Sequence, residues 1–295
     1  MPLRMITGQF RVLGTQPDGD SVRFYPDDPD AWSKTGVRAR VNPSGGVQPR
    51  LDAIDALETH YTPPKGTGRL HQPVGLSRAA TASLLDRLGF TGVVTDEASS
   101  TVTAATPPAA AGFVLTRVAD TYGRPVALAY AGAPGDAGIT APDLAPVHVD
   151  VQLLRPSVNQ GLLADGLVYP TLYAKLYVDL RADLARVAVA ARDAKSGVWA
   201  EDATVSGFTL ISRAQLADEL VILPKLFRRI AEYLALEADQ TSVDLAQFPG
   251  FLAAHADALF TVPDGHATTL DTLVEVTGQT VRLTVPPERI VFAEK

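Results

Sequence analysis

The first half of the chain alternates short apolar runs with clusters of Gly, Pro and Asp, and the second half carries longer apolar spacings of helical period. Residues 5–13 read as a first strand and 21–25 as a second, joined through the tight-turn chemistry of Asp18-Gly19-Asp20. Residues 47–54 make a third strand with Asp52 as its odd polar member. A helix is expected over 77–88, with Ser77 as N-cap, apolar residues at Ala80, Leu84, Leu85 and Leu88, and Gly89 past its end. Residues 91–95 form a short strand, and 113–118 and 125–131 flank Tyr122-Gly123-Arg124 as a hairpin. Further helices are expected over 157–165 and 172–193, the latter from Leu176, Leu180, Leu184, Val187 and Ala191.

Three segments break this pattern and read as inserted loops: 26–46, with Pro26, Pro29, Pro43 and Gly45-Gly46; 97–111, low in complexity; and 132–156. Beyond Ala203, residues 212–236 read as one or two helices interrupted at Pro224, and 248–260 as an apolar helix. A hairpin of 272–276 and 280–285 around Gly278-Gln279 follows, then a last strand over 289–292. Periodicity alone therefore gives a β-rich α+β class.

At 295 residues the chain suits one large or two moderate domains, and 46% hydrophobic residues suffice for a sizeable core. No run of about eighteen apolar residues suggests a membrane span. The start, Met-Pro-Leu-Arg-Met-Ile-Thr-Gly, has no apolar signal region, so a cytoplasmic location is expected. The absence of cysteine removes disulfides, thiolate nucleophiles and Cys-bound zinc. His60, His71, His148, His255 and His266 show no metal-binding spacing, and no P-loop, GxSxG or Rossmann fingerprint is present.

A net charge of −7 argues against a generic nucleic-acid binder. Residues 1–202 hold 19 basic and 21 acidic side chains, and 203–295 hold 7 and 12. Attraction to a polyphosphate is thus weak at long range, and nuclease activity would have to rest on a metal and a few local arginines.

The chemistry concentrates in residues 47–60, where an apolar strand ends in Arg50, Asp55 and Glu58. Taken singly, Arg50 and Arg124 read as surface salt-bridge residues and Glu58 as a solvated carboxylate. Taken in order, Asp18-Gly19-Asp20-Ser21, Arg50-Leu51 through Asp55-Ala56-Leu57-Glu58, Asp120-Thr121-Tyr122-Gly123-Arg124, Val158-Asn159-Gln160-Gly161-Leu162 with Gly166-Leu167, and Val198-Trp199-Ala200-Glu201 resemble the staphylococcal nuclease (thermonuclease) family over residues 5–202. Leu57 stands where the family usually has proline, and Tyr169 and Tyr173 loosely echo a tyrosine pair.

The resemblance implies a five-stranded Greek-key barrel of the OB type with packed helices over 1–202, followed by a small C-terminal α+β domain over 203–295. It also implies a phosphodiesterase of the endonuclease class acting on DNA and also RNA. Asp20, Asp55 and the Ala56 carbonyl would hold one Ca²⁺, with Mg²⁺ as the other hard cation suited to oxygen ligands. Glu58 would act as general base, and Arg50 and Arg124 would clamp the phosphate. That set is chemically consistent, because an anionic phosphodiester repels hydroxide until cations and planar guanidiniums neutralise its oxygens.

The alternative is a non-catalytic module that holds nucleic acid or protein on the same fold. Lys225, Arg228 and Arg229 read as a solvated helix face, with nucleic-acid contact as the second reading. The acidity of 203–295 suggests a protein partner, a homo-oligomer contact or a control on substrate access.

Overall fold

The computed structural model describes residues 2–66, 68–97, 99–237 and 243–294. Among them the chain forms a strand-rich α+β structure with eight α-helices. Its main sheet has six strands. Pro2–Phe10 lies at the centre, antiparallel to Phe24–Pro26 and to Ala110–Ala119, and Pro146–His148 adds to its start. Ala110–Ala119 continues to Pro125–Ala131, which pairs in parallel with Arg50–Leu51. Two isolated bridges, Ser21 to Arg50 and Phe24 to Val47, join the two outer strands, so the sheet curls into a half-barrel.

Both faces of the first strand are covered: Leu3 and Met5 are buried on one and Ile6 and Phe10 on the other, and Phe113 stacks on Tyr130 with ring centroids 4.6 Å apart. Each such side chain taken from water contributes about 1.5–3 kcal/mol.

The third strand splits. Arg50–Leu51 stays in the main sheet, but Ala53 takes a left-handed φ of 67°, and Ile54–Ala56 pairs instead with Val168–Pro170. Asn159, fully buried in the helix Val158–Ala164, closes the split. Its Nδ2 donates to the carbonyls of Asp52 at 2.9 Å and Ala127 at 3.0 Å, and its Oδ1 accepts from Ala129 N at 3.0 Å. Asn159→Ala removes all three side-chain hydrogen bonds from this buried place, although the Ala127 carbonyl still accepts from Asp52 N at 2.8 Å, so urea unfolding should show a loss of about 2–4 kcal/mol.

Several local expectations are corrected by tertiary pairing. The helix expected from Ser77 begins at Val74, and the Ser77 hydroxyl turns inward to donate to the Val74 carbonyl. Residues 172–177 are not helical: Leu172–Tyr173 pairs with Val291–Phe292, and the helix spans Val178–Asp193. Within 97–111, Val102–Thr106 is a strand paired with Thr91–Thr95. Within 26–46 a short helix, Ala31–Thr35, buries Trp32. Residues 212–236 do form two helices, Arg213–Asp218 and Pro224–Leu234, the second opening on Pro224, but the helix from Phe248 stops at His255 before the strand Ala258–Thr261. The hairpin around Gly278-Gln279 is present as Val274–Thr277 and Thr280–Leu283.

A second apolar core does not respect the end of the resemblance at residue 202. It gathers Leu57, Tyr169, Val198 and Trp199 with Leu226, Phe227, Ile230 and Phe292. The parallel pairing of Leu172–Tyr173 with Val291–Phe292 stitches the two regions further. No helix among the described residues is long and apolar enough to cross a membrane.

Candidate active site

The split of the third strand sets the site. Arg50 leaves the curled sheet at one edge, and five residues later Asp55 is buried to 1% exposure in the ladder with Tyr169. The turn at Asp18-Gly19-Asp20 presses on the same place. A Cβ on Gly19 would come within 2.6 Å of the Ala56 Cβ and 2.7 Å of the Ala80 Cβ, so only glycine lets the turn approach.

Of the residues expected from the sequence, Asp20, Arg50, Asp55 and Glu58 are brought together. One nitrogen, Arg50 Nη2, stands 3.0 Å from Asp55 Oδ1 and 3.9 Å from Asp20 Oδ2. Arg124 faces the same region: its positive charge helps to offset Asp20. Its Nε is held by Asp120 Oδ2 at 2.7 Å, and its guanidinium lies 5.6 Å from the Tyr122 ring centroid. Arg50 and Arg124 both line a cleft of about 500 Å³. Ala56 is buried beside Asp55, in register with Val168.

Three participants are not among the sequence candidates. Arg228, from the helix Pro224–Leu234, donates from Nη2 to Asp55 Oδ2 at 2.6 Å and from Nη1 to Asp55 Oδ1 at 3.2 Å, and pairs with Glu58 through the same Nη1. It lies inside the site, not on a solvated helix face. Lys225 and Arg229, on the same face of this helix, also turn inward to Asp257. Gln72, fully buried, accepts from Glu58 N at 3.2 Å and donates to the Ile222 carbonyl at 2.8 Å, fixing the backbone that carries Glu58. Asp18 completes the carboxylate group. The doubled aspartate of the turn was its only signal in the sequence; Arg228 showed only as one of three cations read first as a solvated helix face, and Gln72 had no signal, because their partners are remote along the chain.

Charge in the cluster is unevenly matched. Burial alone would raise Asp55, but the Arg228 and Arg50 guanidiniums outweigh it and hold the carboxyl below its usual range. Asp20 is pushed up to about 6 by burial, with Asp55 and Glu58 adding to the rise and Arg50 only partly opposing it. Asp18 is raised by burial and by the charges of Asp20 and Glu58. Four carboxylates thus share two direct guanidinium partners, and the surplus falls on Asp18 and Asp20. By charge and by donor type this set fits a hard divalent cation. By position it is closed, since Arg228 occupies both oxygens of Asp55, and no three metal-binding side chains among the described residues stand ready to share an ion.

Tyr169 is fully buried, donates to Asp202 Oδ1 at 2.7 Å and stands edge-on to Trp199, so it offers no face to a base. Tyr173 lines the cleft.

Asp52 also lines the cleft, and burial pushes it up to about 6. The native state therefore binds this proton more tightly than the unfolded chain, whose aspartates titrate near about 4. The stability that Asp52 contributes is complete below about pH 4 and is lost as pH rises through about 6. Asp52→Asn should exceed the parent in stability by ~2–3 kcal/mol near neutral pH, and thermal melts should show the gain vanishing in acid.

No protein-family model matches the chain, and no curated protein matches it.

Proposed function

We propose that the protein is a divalent-metal-dependent phosphodiesterase of nucleic acids, a nuclease resembling the staphylococcal family. The observation that carries this reading is the convergence of Asp20, Asp55 and Glu58 around Arg50, with Arg124 lining the adjoining cleft. The fold reading, a five-stranded OB-type barrel, is supported by the strand order and by the Ser21 to Arg50 and Phe24 to Val47 bridges, which link strands at opposite edges of the sheet.

Asp20, Asp55 and the Ala56 carbonyl would hold the ion, Ca²⁺ by resemblance with Mg²⁺ as the other candidate. When bound, the ion supplies positive charge to a non-bridging phosphate oxygen. Glu58 takes a proton from the attacking water, whose oxygen bonds to phosphorus as the bond to one sugar oxygen breaks. That leaving oxygen takes a proton from solvent. Arg50 and Arg124 donate hydrogen bonds to the non-bridging oxygens, where negative charge grows. Arg228 has to release Glu58 and Asp55 before these steps, and a phosphate of the single strand that reaches Arg228 is the natural competitor.

Incubating the purified full chain with single-stranded DNA and RNA, in Ca²⁺ or in chelator, tests the reading. Digestion in Ca²⁺ that stops in chelator supports it; digestion unchanged by chelator, or none at all, removes it.

The hold of Arg228 on Asp55 and Glu58 favours a second reading, a non-catalytic module on the same fold. Calorimetric titration separates the two: a chain that binds no Ca²⁺ in the presence of a single-stranded oligonucleotide is the module.

A further inference from the structure

The cleft beside Arg50 is built by two parts of the chain. Arg50, Asp52, Arg117 and Arg124 come from the curled sheet and its turns, whereas Lys225, Arg229, Asp257 and Phe292 come from the C-terminal region, with Tyr173 and Lys175 between them. The C-terminal residues line the same cleft as the two arginines that grip phosphate in the proposed reaction. At about 500 Å³ the cleft is in the range that encloses one small ligand, not a length of polymer.

Its charge is opposite to that of the whole molecule. Six basic and four acidic side chains line it, although the protein carries −7 overall. A long strand laid across this surface meets net repulsion, so attraction is confined to what enters the cleft.

One cation of the cleft, Lys225, is held only by a long ion pair and a ring face. Lys225 is largely buried, with Asp257 Oδ1 at 3.8 Å and the Phe292 ring centroid at 4.4 Å, and its ammonium makes no hydrogen bond among the described residues. Asp257 is already engaged bidentately by Arg229, at 2.6 and 2.9 Å. Burial, reinforced by Arg228 and Arg229, lowers Lys225 to about 8 despite Asp257, the condition of an ammonium that an incoming anion would stabilise.

We infer that this cleft receives the free end of a single strand, one nucleotide deep, with its terminal phosphate against Lys225 and its flanking phosphodiester at Arg50 and Arg124. With its terminal phosphate at Lys225 the strand is held by its free end, and cleavage proceeds inward from there. This rests on the nuclease reading for the cleavage, but not for the binding.

Two measurements separate them. In binding, a short single-stranded oligonucleotide carrying a terminal phosphate is compared with the same oligonucleotide ending in hydroxyl, using fluorescence anisotropy in chelator. The phosphorylated form should bind the parent about tenfold more tightly, the value of one charge-assisted contact. Lys225→Gln should erase that difference and Lys225→Arg should keep it. If Lys225→Gln does not fold, Lys175→Gln, at the cleft margin, serves in its place and should narrow the difference. Equal binding of the two oligonucleotides to the parent, or equal weakening of both by the variant, overturns the inference. Competition by inorganic phosphate as strong as that by the phosphorylated oligonucleotide also overturns it, since the cleft would then hold any small anion.

In cleavage, a linear strand is compared with a covalently closed circle of the same sequence. Cutting of the linear strand at least about tenfold faster supports end entry, and equal rates overturn it. If neither is cut while the phosphate-dependent binding is present, the nuclease reading fails and the end-binding site stands.

Discussion

Replacing Arg228 with methionine should destabilise the protein by about 3–5 kcal/mol, the cost of removing one partner from a buried ion-paired set. Arg228 supplies two hydrogen bonds to Asp55, at 2.6 and 3.2 Å, and a contact to Glu58. Without it, Asp55 keeps only Arg50, and Glu58 loses its cation. The sign of the pH dependence follows from Asp55. Its carboxyl is depressed in the folded state, so its contribution is present above the unfolded value and is lost as pH falls through the folded one. The deficit of Arg228→Met should therefore be largest near neutrality and shrink in strong acid. Urea unfolding at a series of pH values measures both features.

Calcium gives the same variant a second readout. If the ion and the guanidinium use the same oxygens, millimolar Ca²⁺ should raise the melting temperature of Arg228→Met more than that of the parent, because at a given concentration a ligand stabilises the native state more the more tightly it binds there. A variant as stable as the parent, or one indifferent to Ca²⁺, would contradict the assignment of Arg228 as the cation that occupies the carboxylate site.

The second large effect is on rate. Glu58→Gln should slow hydrolysis of single-stranded DNA by about 10²–10⁴-fold, the range for removing a general base. The fold should survive, since the amide oxygen still accepts from Arg228, and Gln72 holds the backbone at this position. Arg124→Ala should lose about 10²–10³-fold by withdrawing a donor from the developing charge, with Asp120 left solvated at the cleft rim. Single-turnover assays with protein in excess separate these losses from weaker binding. Activity of either variant within a few-fold of the parent would assign the digestion to something other than this site.

What the sequence made legible follows the range of the interactions involved. The strands Thr91–Thr95 and Pro125–Ala131 lie where their β-branched and alternating residues put them, because neighbouring turns fix them locally. Residues 172–177 show the opposite. Their apolar spacing continues that of the helix behind them, yet Leu172–Tyr173 gains more by joining Val291–Phe292, and no local signal reports a partner more than a hundred residues away. Val102–Thr106, rich in Thr and Ala, reads as a linker until Thr91–Thr95 is laid beside it.

The candidate site divides in the same way. Asp20, Arg50, Asp55, Glu58 and Arg124 are recognisable from spacing within short segments. Arg228 is not, since an arginine on an apolar helix is ordinarily a solvated residue, and only the helix's position over Asp55 and Glu58 gives it a different part. Nor does composition reveal it: the acidic balance of residues 203–295 conceals three inward-facing cations on one helix.

The strand Leu172–Tyr173 and its parallel partner Val291–Phe292 tie together segments more than a hundred residues apart in the chain. The two guanidiniums on Asp55 are as distant in origin, Arg50 coming from the curled sheet and Arg228 from the helix Pro224–Leu234. A chain cut between these segments would leave Asp55 and Glu58 without the Arg228 guanidinium, so its two pieces would have to associate before the carboxylates are balanced.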